Sequence, residues 1–415
     1  MKKKLLSLAL CGAAIVAGVL PLSGCGTVRG ENLMAQISPR PVTETPTGDE
    51  ALAVSDFAVR LLQNCRPDQE NTLLSPLSVL AALGMTTNGG AGETREQMEA
   101  VLGLPAEQLN VWIHSVMEDL PAEKTCAVQM ANSIWMREDP ALTVEQAFLQ
   151  TNADYYGAAV YQAPFDDGTV EEINAWVQKH TDNLIDGILQ EIPDAAMLYL
   201  VNALSLDAEW AEIYRETSVR EDVFTAQSGQ ERRTEFLYSE EDVYLQAENA
   251  QGFLKYYKGG AYAFAALLPE EGTSLSDYVA GLTGARLLKA LEDAREETVY
   301  AAIPKFRSEY TTELSEALTA MGMADAFDVR RADFSAMGSY GEDNLYISKI
   351  LHKTKITVDE RGTKAGAAAA VEMNAGEAPA EEPKVVHLNR PFVYLLVDCR
   401  TNTPVFLGTL LDTGA

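Results

Sequence analysis

ITVDERGTKAGAAAAVEM, residues Ile356 to Met373, begins as a strand and ends with almost no side-chain bulk. Ile356, Val358 and Glu360 alternate with Thr357 and Asp359, the two-residue period of extended chain. The chain then turns at Gly362-Thr363. From Gly362 to Ala378 there are seventeen residues without a proline, dominated by Ala and Gly. A loop with that composition keeps the backbone N–H groups a sheet requires and carries little that would clash between existing strands. It is therefore suited to become a strand later. Alone, the same run reads equally as a flexible linker or a short surface helix, so its flanks must decide.

Working outward, Phe57, Leu61 and Leu62 predict a helix over 55–65. Ser75 is a predicted N-cap, with Pro76 at the first helical position, for a second helix running to Met85 and stopping at Asn88-Gly89-Gly90. A third is expected over 94–102, capped by Thr94 and closed by Gly103. AVQMANSIWM (127–136) predicts a buried strand. Ile173, Trp176, Val177, Leu184 and Ile188 predict one long amphipathic helix over 171–189. From Met197 strands dominate, interrupted by helical stretches at 275–292 and 313–321. The end, PFVYLLVDCRTNTPVFLGTLLD, predicts two apolar strands turned at Thr401-Asn402. Helices mostly first and strands mostly later indicate an α+β domain, one unit over 51–415 with no internal repeat.

The first 24 residues carry an export signal. Lys2-Lys3-Lys4 precede the apolar run Leu5–Leu20, too short to span a bilayer, and Leu22-Ser23-Gly24-Cys25 offers a small-residue processing site. LSGC matches the bacterial lipobox, which implies cleavage before Cys25 and lipid attachment to its sulfur. An ordinary secretory signal with an incidental cysteine is the alternative. Residues 26–50, with Pro39, Pro41 and Pro46 among Ser and Thr, read as a flexible tether. The expected location is extracytoplasmic: a lipoprotein on the cell surface or facing the periplasm, held to the membrane through Cys25.

The 32 basic and 61 acidic residues give a net charge of −29, and loss of the three signal lysines deepens it to −32. Nucleic acid is thus not an expected partner, since phosphate binding requires clustered Lys and Arg. Cys65, Cys126 and Cys399 have neither disulfide-framework nor zinc spacing and read as buried small hydrophobes. The four histidines, His114, His180, His352 and His387, sit in no HExxH, G-x-S-x-G, P-loop or paired-Cys motif. Neither catalysis, nor a cofactor, nor a metal is expected.

Five segments then match one family in order: NTLLSPLSVLAALGMTTNGGAGETREQM, VNALSLDAEW, IPKFRSEYTTELSEALTAMGMADAF, LYISKILHKTKITVDERGTKAG and NRPFVYLLVDCRTNTPVFLGTLLD. Together they span essentially all of 51–413, and in this order the chain resembles the serpins, inhibitors of serine proteases. The resemblance implies helices around a large central β-sheet, two smaller sheets, and an exposed reactive-centre loop at about 360–385. It implies a hinge at Glu360, Gly362, Thr363, Lys364, Ala365, Gly366, Ala367, Ala368, Ala369 and Ala370. It places Ser75, Ser78, Asn202 and His352 in a polar cluster beneath the sheet, the shutter; from sequence alone Ser75 is a helix cap and His352 a core histidine. It places Trp210, Lys305 and Glu360 at the breach, where the loop enters, with Lys305 paired to Glu360.

In the family, the target protease attacks the loop, and the cut loop inserts into the sheet before the acyl-enzyme is hydrolysed. About fourteen inserting residues at roughly 3.3 Å each reach on the order of 45 Å. Counting as the family does puts the reactive bond at Gly376-Glu377, with cuts after Met373, Asn374 or Ala375 as alternatives. Small side chains there, and no Arg or Lys between Ala365 and Pro383, suit elastase- or subtilisin-like serine proteases, with cysteine proteases as a further class of partner. A monomer is expected. Lys364, where the family often has Glu, Leu206-Asp207-Ala208, and Asp182-Asn183 depart from the pattern. The alternative is a non-inhibitory serpin acting as a surface binding or carrier protein.

Overall fold

The computed structural model describes residues 30–65, 68, 70–120, 122–123, 125–363 and 383–414. Its centre is an eight-stranded mixed sheet. Across it run Glu31–Asn32, Ala159–Ala163, Cys126–Arg137, Leu198–Glu209, Gly362–Thr363, Lys349–Val358 and Phe306–Glu313, with Ala122–Glu123 folded back on Cys126–Arg137. A nine-stranded sheet packs beside it, from edge strand Lys384–His387 through Arg295–Pro304 and Glu231–Ala247 to Phe392–Asp398, Thr403–Leu410 and Thr72–Leu74. A two-stranded pair, Leu142–Val144 with Gly338–Tyr340, completes the β structure among the described residues. Helices cover the sheets, as an α+β arrangement requires.

The helix Pro76–Thr87 lies inside the molecule, and all twelve of its residues are buried. Such a helix needs apolar or small residues all round, which PLSVLAALGMTT supplies. Its predicted cap forms: the Ser75 hydroxyl accepts from the Ser78 N–H at 3.3 Å. The carboxy-terminal hairpin also forms, with Asn402 at φ +54° in its turn.

Several expectations are corrected in extent. The first helix spans Glu50–Asn64 and starts five residues early, because the Glu50 carboxylate accepts from the backbone N–H groups of Thr47 and Gly48, both at 2.8 Å. The third starts at Gly92, and the Thr94 hydroxyl accepts from the Asp333 N–H at 2.9 Å, so Thr94 is not its cap. The long helix is Asp167–His180, capped by Asp166. It cannot reach Leu189 because Asp182 (φ +48°) and Asn183 (φ +62°) leave the right-handed region. The 275–292 stretch is two helices, Leu275–Gly281 and Gly284–Glu292, the second capped by Thr283. Cys399 is half-buried, whereas Cys65 and Cys126 are buried.

The stretch read as a free tether is not free along its length. Glu31–Asn32 pairs with Ala159–Ala163 at the sheet edge, and Leu33, Met34 and Ile37 pack against the core. The Arg40 guanidinium grips Asp154 at 2.5 and 2.8 Å, while the Arg40 N–H donates to the same carboxylate. Its prolines exclude helix; they do not exclude docking. Cys25 lies outside the described residues.

Candidate functional site

The two strands at the middle of the central sheet, Leu198–Glu209 and Lys349–Val358, are only partly joined. At one end they pair in parallel, Lys349 with Tyr199, Ile350 with Leu200 and Leu351 with Val201. At the other end a third strand separates them: Gly362 and Thr363 pair with Glu209 and Ala208 on one side, and Thr363 with Val358 on the other. Between, residues 202–207 and 352–357 share no ladder among the described residues. Six residues of extended chain amount to an opening of about 20 Å.

Gly362 fits because a Cβ there would lie 2.0 Å from the Ala208 carbonyl oxygen. Thr363 is buried, and its hydroxyl lies 2.7 Å from the Tyr257 hydroxyl. Tyr257 stacks on Trp210 with centroids 4.5 Å apart. Trp210, fully buried, donates from its indole to the Asp359 carbonyl and from its backbone to the Arg361 carbonyl, both at 2.8 Å. The Tyr214 N–H donates to the Glu360 carbonyl at 2.9 Å. Lys305 Nζ stands 2.8 Å from Glu360 and 2.9 Å from Glu235. Burial works against the Lys305 charge, but hydrogen bonds to Glu360 and Glu235 outweigh it and raise its pKa. The same bond to Lys305 lowers that of Glu360. The turn that starts the loop is thus clamped from both sides.

Tyr257, Tyr214 and Glu235 escaped the sequence reading. They sit in ordinary strand patterns, and only the meeting of two sheets gives them this place.

At the opposite end of the opening lies His352. It is buried, and burial pushes its pKa down to about 4, so the ring is neutral at pH 7. Nε2 is the acceptor for the Ser75 N–H at 3.1 Å, which puts the ring proton on Nδ1. The Ser75 hydroxyl donates to the Val405 carbonyl at 3.0 Å while accepting from Ser78. Ser75, Ser78 and His352 therefore come together. Asn202 does not bond to them: its amide bonds to Asn132 on the neighbouring strand, and Asn132 Nδ2 and Asn202 Oδ1 are buried without partners. Asn202 and His352 are the first residues past the zipped segment on their respective strands.

The remaining expected site residues, Lys364 to Ala370 and Met373 to Glu377, lie outside the described residues. The structure takes up again before Lys384–His387, which runs parallel to Arg295–Pro304 at the edge of the second sheet. Burial pushes the thiols of Cys65 and Cys399 up to about 12, which leaves both unreactive near neutral pH.

A central sheet parted between two strands, with the first residues of a small-residue loop already seated in the gap, defines a strand-accepting fold. The family model described as serpin (serine protease inhibitor) matches residues 52–413, and the chain belongs to the serpin family. Serpins are generally protease inhibitors. The chain is 30% identical over 368 residues to an uncharacterized serpin-like protein of Thermococcus kodakarensis, covering 87% of this chain and 85% of that one. It is 26% identical to human antithrombin-III, covering 87% and 81%. Among solved structures, the thermophilic serpin tengpin in its native state superposes with a TM-score of 0.89 at 43% identity, covering 93% of this chain and all of that one. Tengpin in its latent state gives 0.78 at 39% identity.

Proposed function

We propose that this protein is an extracytoplasmic, lipid-anchored inhibitor of elastase-like serine proteases that acts as a suicide substrate. The reading rests on one observation above others, the opening between residues 202–207 and 352–357 with Gly362–Thr363 seated at its mouth. Unpaired strand edges of that length accept a cut loop, and the loop composition from Ala365 to Ala378 offers the N–H groups and small side chains to fill them. Anchorage rests on the LSGC tetrapeptide at Leu22–Cys25, and target class on the absence of Arg and Lys between Ala365 and Pro383.

Incubation with elastase, subtilisin and trypsin, followed by denaturing electrophoresis, tests the inhibitory part. A protease complex that survives denaturation is expected with elastase or subtilisin. Nicking between residues 365 and 382 without any such complex would refute inhibition and support the carrier reading. Metabolic labelling with a radioactive fatty acid tests the anchor: label is expected on the wild-type chain and absent from Cys25→Ser.

A further inference from the structure

A cleft of about 530 Å³ opens beside the segment that follows Leu198–Glu209, within the usual size range of small-molecule sites. Its floor is Ala302 on Arg295–Pro304, with Tyr300 on the same face of that strand two residues before it. Val385 of the edge strand forms one wall. Lys255 also lines the cleft and is only 3% exposed. Its ammonium lies 2.6 Å from Glu241 and 4.5 Å from the Tyr214 ring centre. Glu241 takes one of its three N–H donors, and a ring face satisfies charge without supplying an oxygen acceptor. Arg220 also lines the cleft. Its guanidinium lies 5.2 Å from the Tyr238 ring centre and gives one long bond, 3.4 Å, to the Thr217 carbonyl. Among the described residues no carboxylate pairs with Arg220, although the protein carries a net charge of −29. The lining acids Glu212 and Glu240 are exposed, as is Arg220, while Lys255 lies deep.

We propose that this cleft binds a small aromatic carboxylate, its ring on Ala302 and Tyr300 and its anionic head between Arg220 and Lys255. An apolar floor with cationic side chains beside it suits a planar body carrying one negative charge. The occupant would also touch both anchorages of the loop. Tyr214, in the cleft wall, donates to the Glu360 carbonyl, and Val385 lies on the strand that follows residue 382. Binding to the folded form alone raises the melting midpoint by mass action.

Titration calorimetry of the purified protein with 2-naphthoate, against 2-naphthylmethanol as the neutral counterpart, tests the site. Saturable one-site binding of the acid is expected, at least tenfold tighter than of the alcohol, with a higher melting midpoint at saturation. Arg220→Gln should weaken the acid at least tenfold. Thr217→Trp, filling the cleft from an exposed position, should abolish binding; both variants should melt as wild type does without probe. No saturable binding, equal binding of alcohol and acid, or undiminished binding by either variant would overturn the proposal. Should a variant not fold, the comparison of acid and alcohol on the wild-type protein still decides.

Discussion

Gly362 is where the loop is admitted between two backbones, and its missing side chain is the condition for entry. A Cβ would lie 2.0 Å from Ala208 O and 2.8 Å from Glu209 Cα, and neither backbone atom can yield cheaply. Gly362→Ala should therefore unseat Thr363 and cost about 1–3 kcal/mol as an overpacking defect. The melting midpoint of the intact protein reports it, and an unchanged midpoint would contradict the close approach. His352 carries a pH dependence. Its folded pKa is near 4, against about 6.5 in the unfolded chain, so between those values the unfolded state binds the extra proton. Stability contributed by the neutral ring is complete above pH 6.5 and is lost as pH falls toward 4, by up to roughly 3 kcal/mol. His352→Gln should flatten the fall in midpoint between pH 7 and 4.5; an equally steep fall would assign it to carboxylates instead. The sequence marks His352 as a strand residue and Ser75 as a cap, and neither pattern reveals that one bonds the other across 277 positions.

The elements show where periodicity misleads. Apolar spacing persists from Ile173 to Ile188, so the pattern predicts one long helix, yet the helix ends at His180 and the later apolar residues pack from irregular chain. Burial selects apolar residues whatever the backbone does, whereas only left-handed residues such as Asp182 and Asn183 report the break. The segment 31–40 makes the same point in reverse. Its composition argues for a spacer, but one short strand pairing and the Arg40–Asp154 contact dock it. Arg40 is largely exposed, while the Asp154 side chain is only 6% exposed. Burial works against the Asp154 carboxylate, but its hydrogen bonds to Arg40 and Gln150 win and lower its pKa. Arg40→Ala takes the guanidinium bonds from that carboxylate and should loosen the segment. Limited proteolysis should then cut within 30–45 at lower protease concentration; unchanged resistance would mean the strand pairing alone holds the segment.

For the whole molecule, the opening in the central sheet implies that the folded chain with an intact loop is not its most stable arrangement. Filling the gap adds on the order of ten ladder bonds at about 1 kcal/mol each. Cleavage between residues 370 and 378 should accordingly raise the melting midpoint by at least roughly 10 °C. Calorimetry before and after nicking measures this, and equal midpoints would mean the cut loop stays outside. Ala368→Pro removes one ladder donor from the inserting run, so it should convert inhibition into simple substrate turnover while leaving the intact protein's midpoint unchanged. A protease complex formed as efficiently as by wild type would show that insertion does not reach that residue.

The linear order of residues established the family resemblance, the buried helix after Ser75, the final hairpin and a loop free of obstacles to strand formation, because each is a matter of local spacing and composition. Where that loop could go was decided only in three dimensions. The opening exists because the Leu198–Glu209 and Lys349–Val358 strands zip at one end and are wedged apart at the other, and the wedge is held by Trp210, Tyr257, Lys305 and Glu360 from four separate segments. Pairing of distant strands is a long-range contact with no local signature, so no window of sequence contains it.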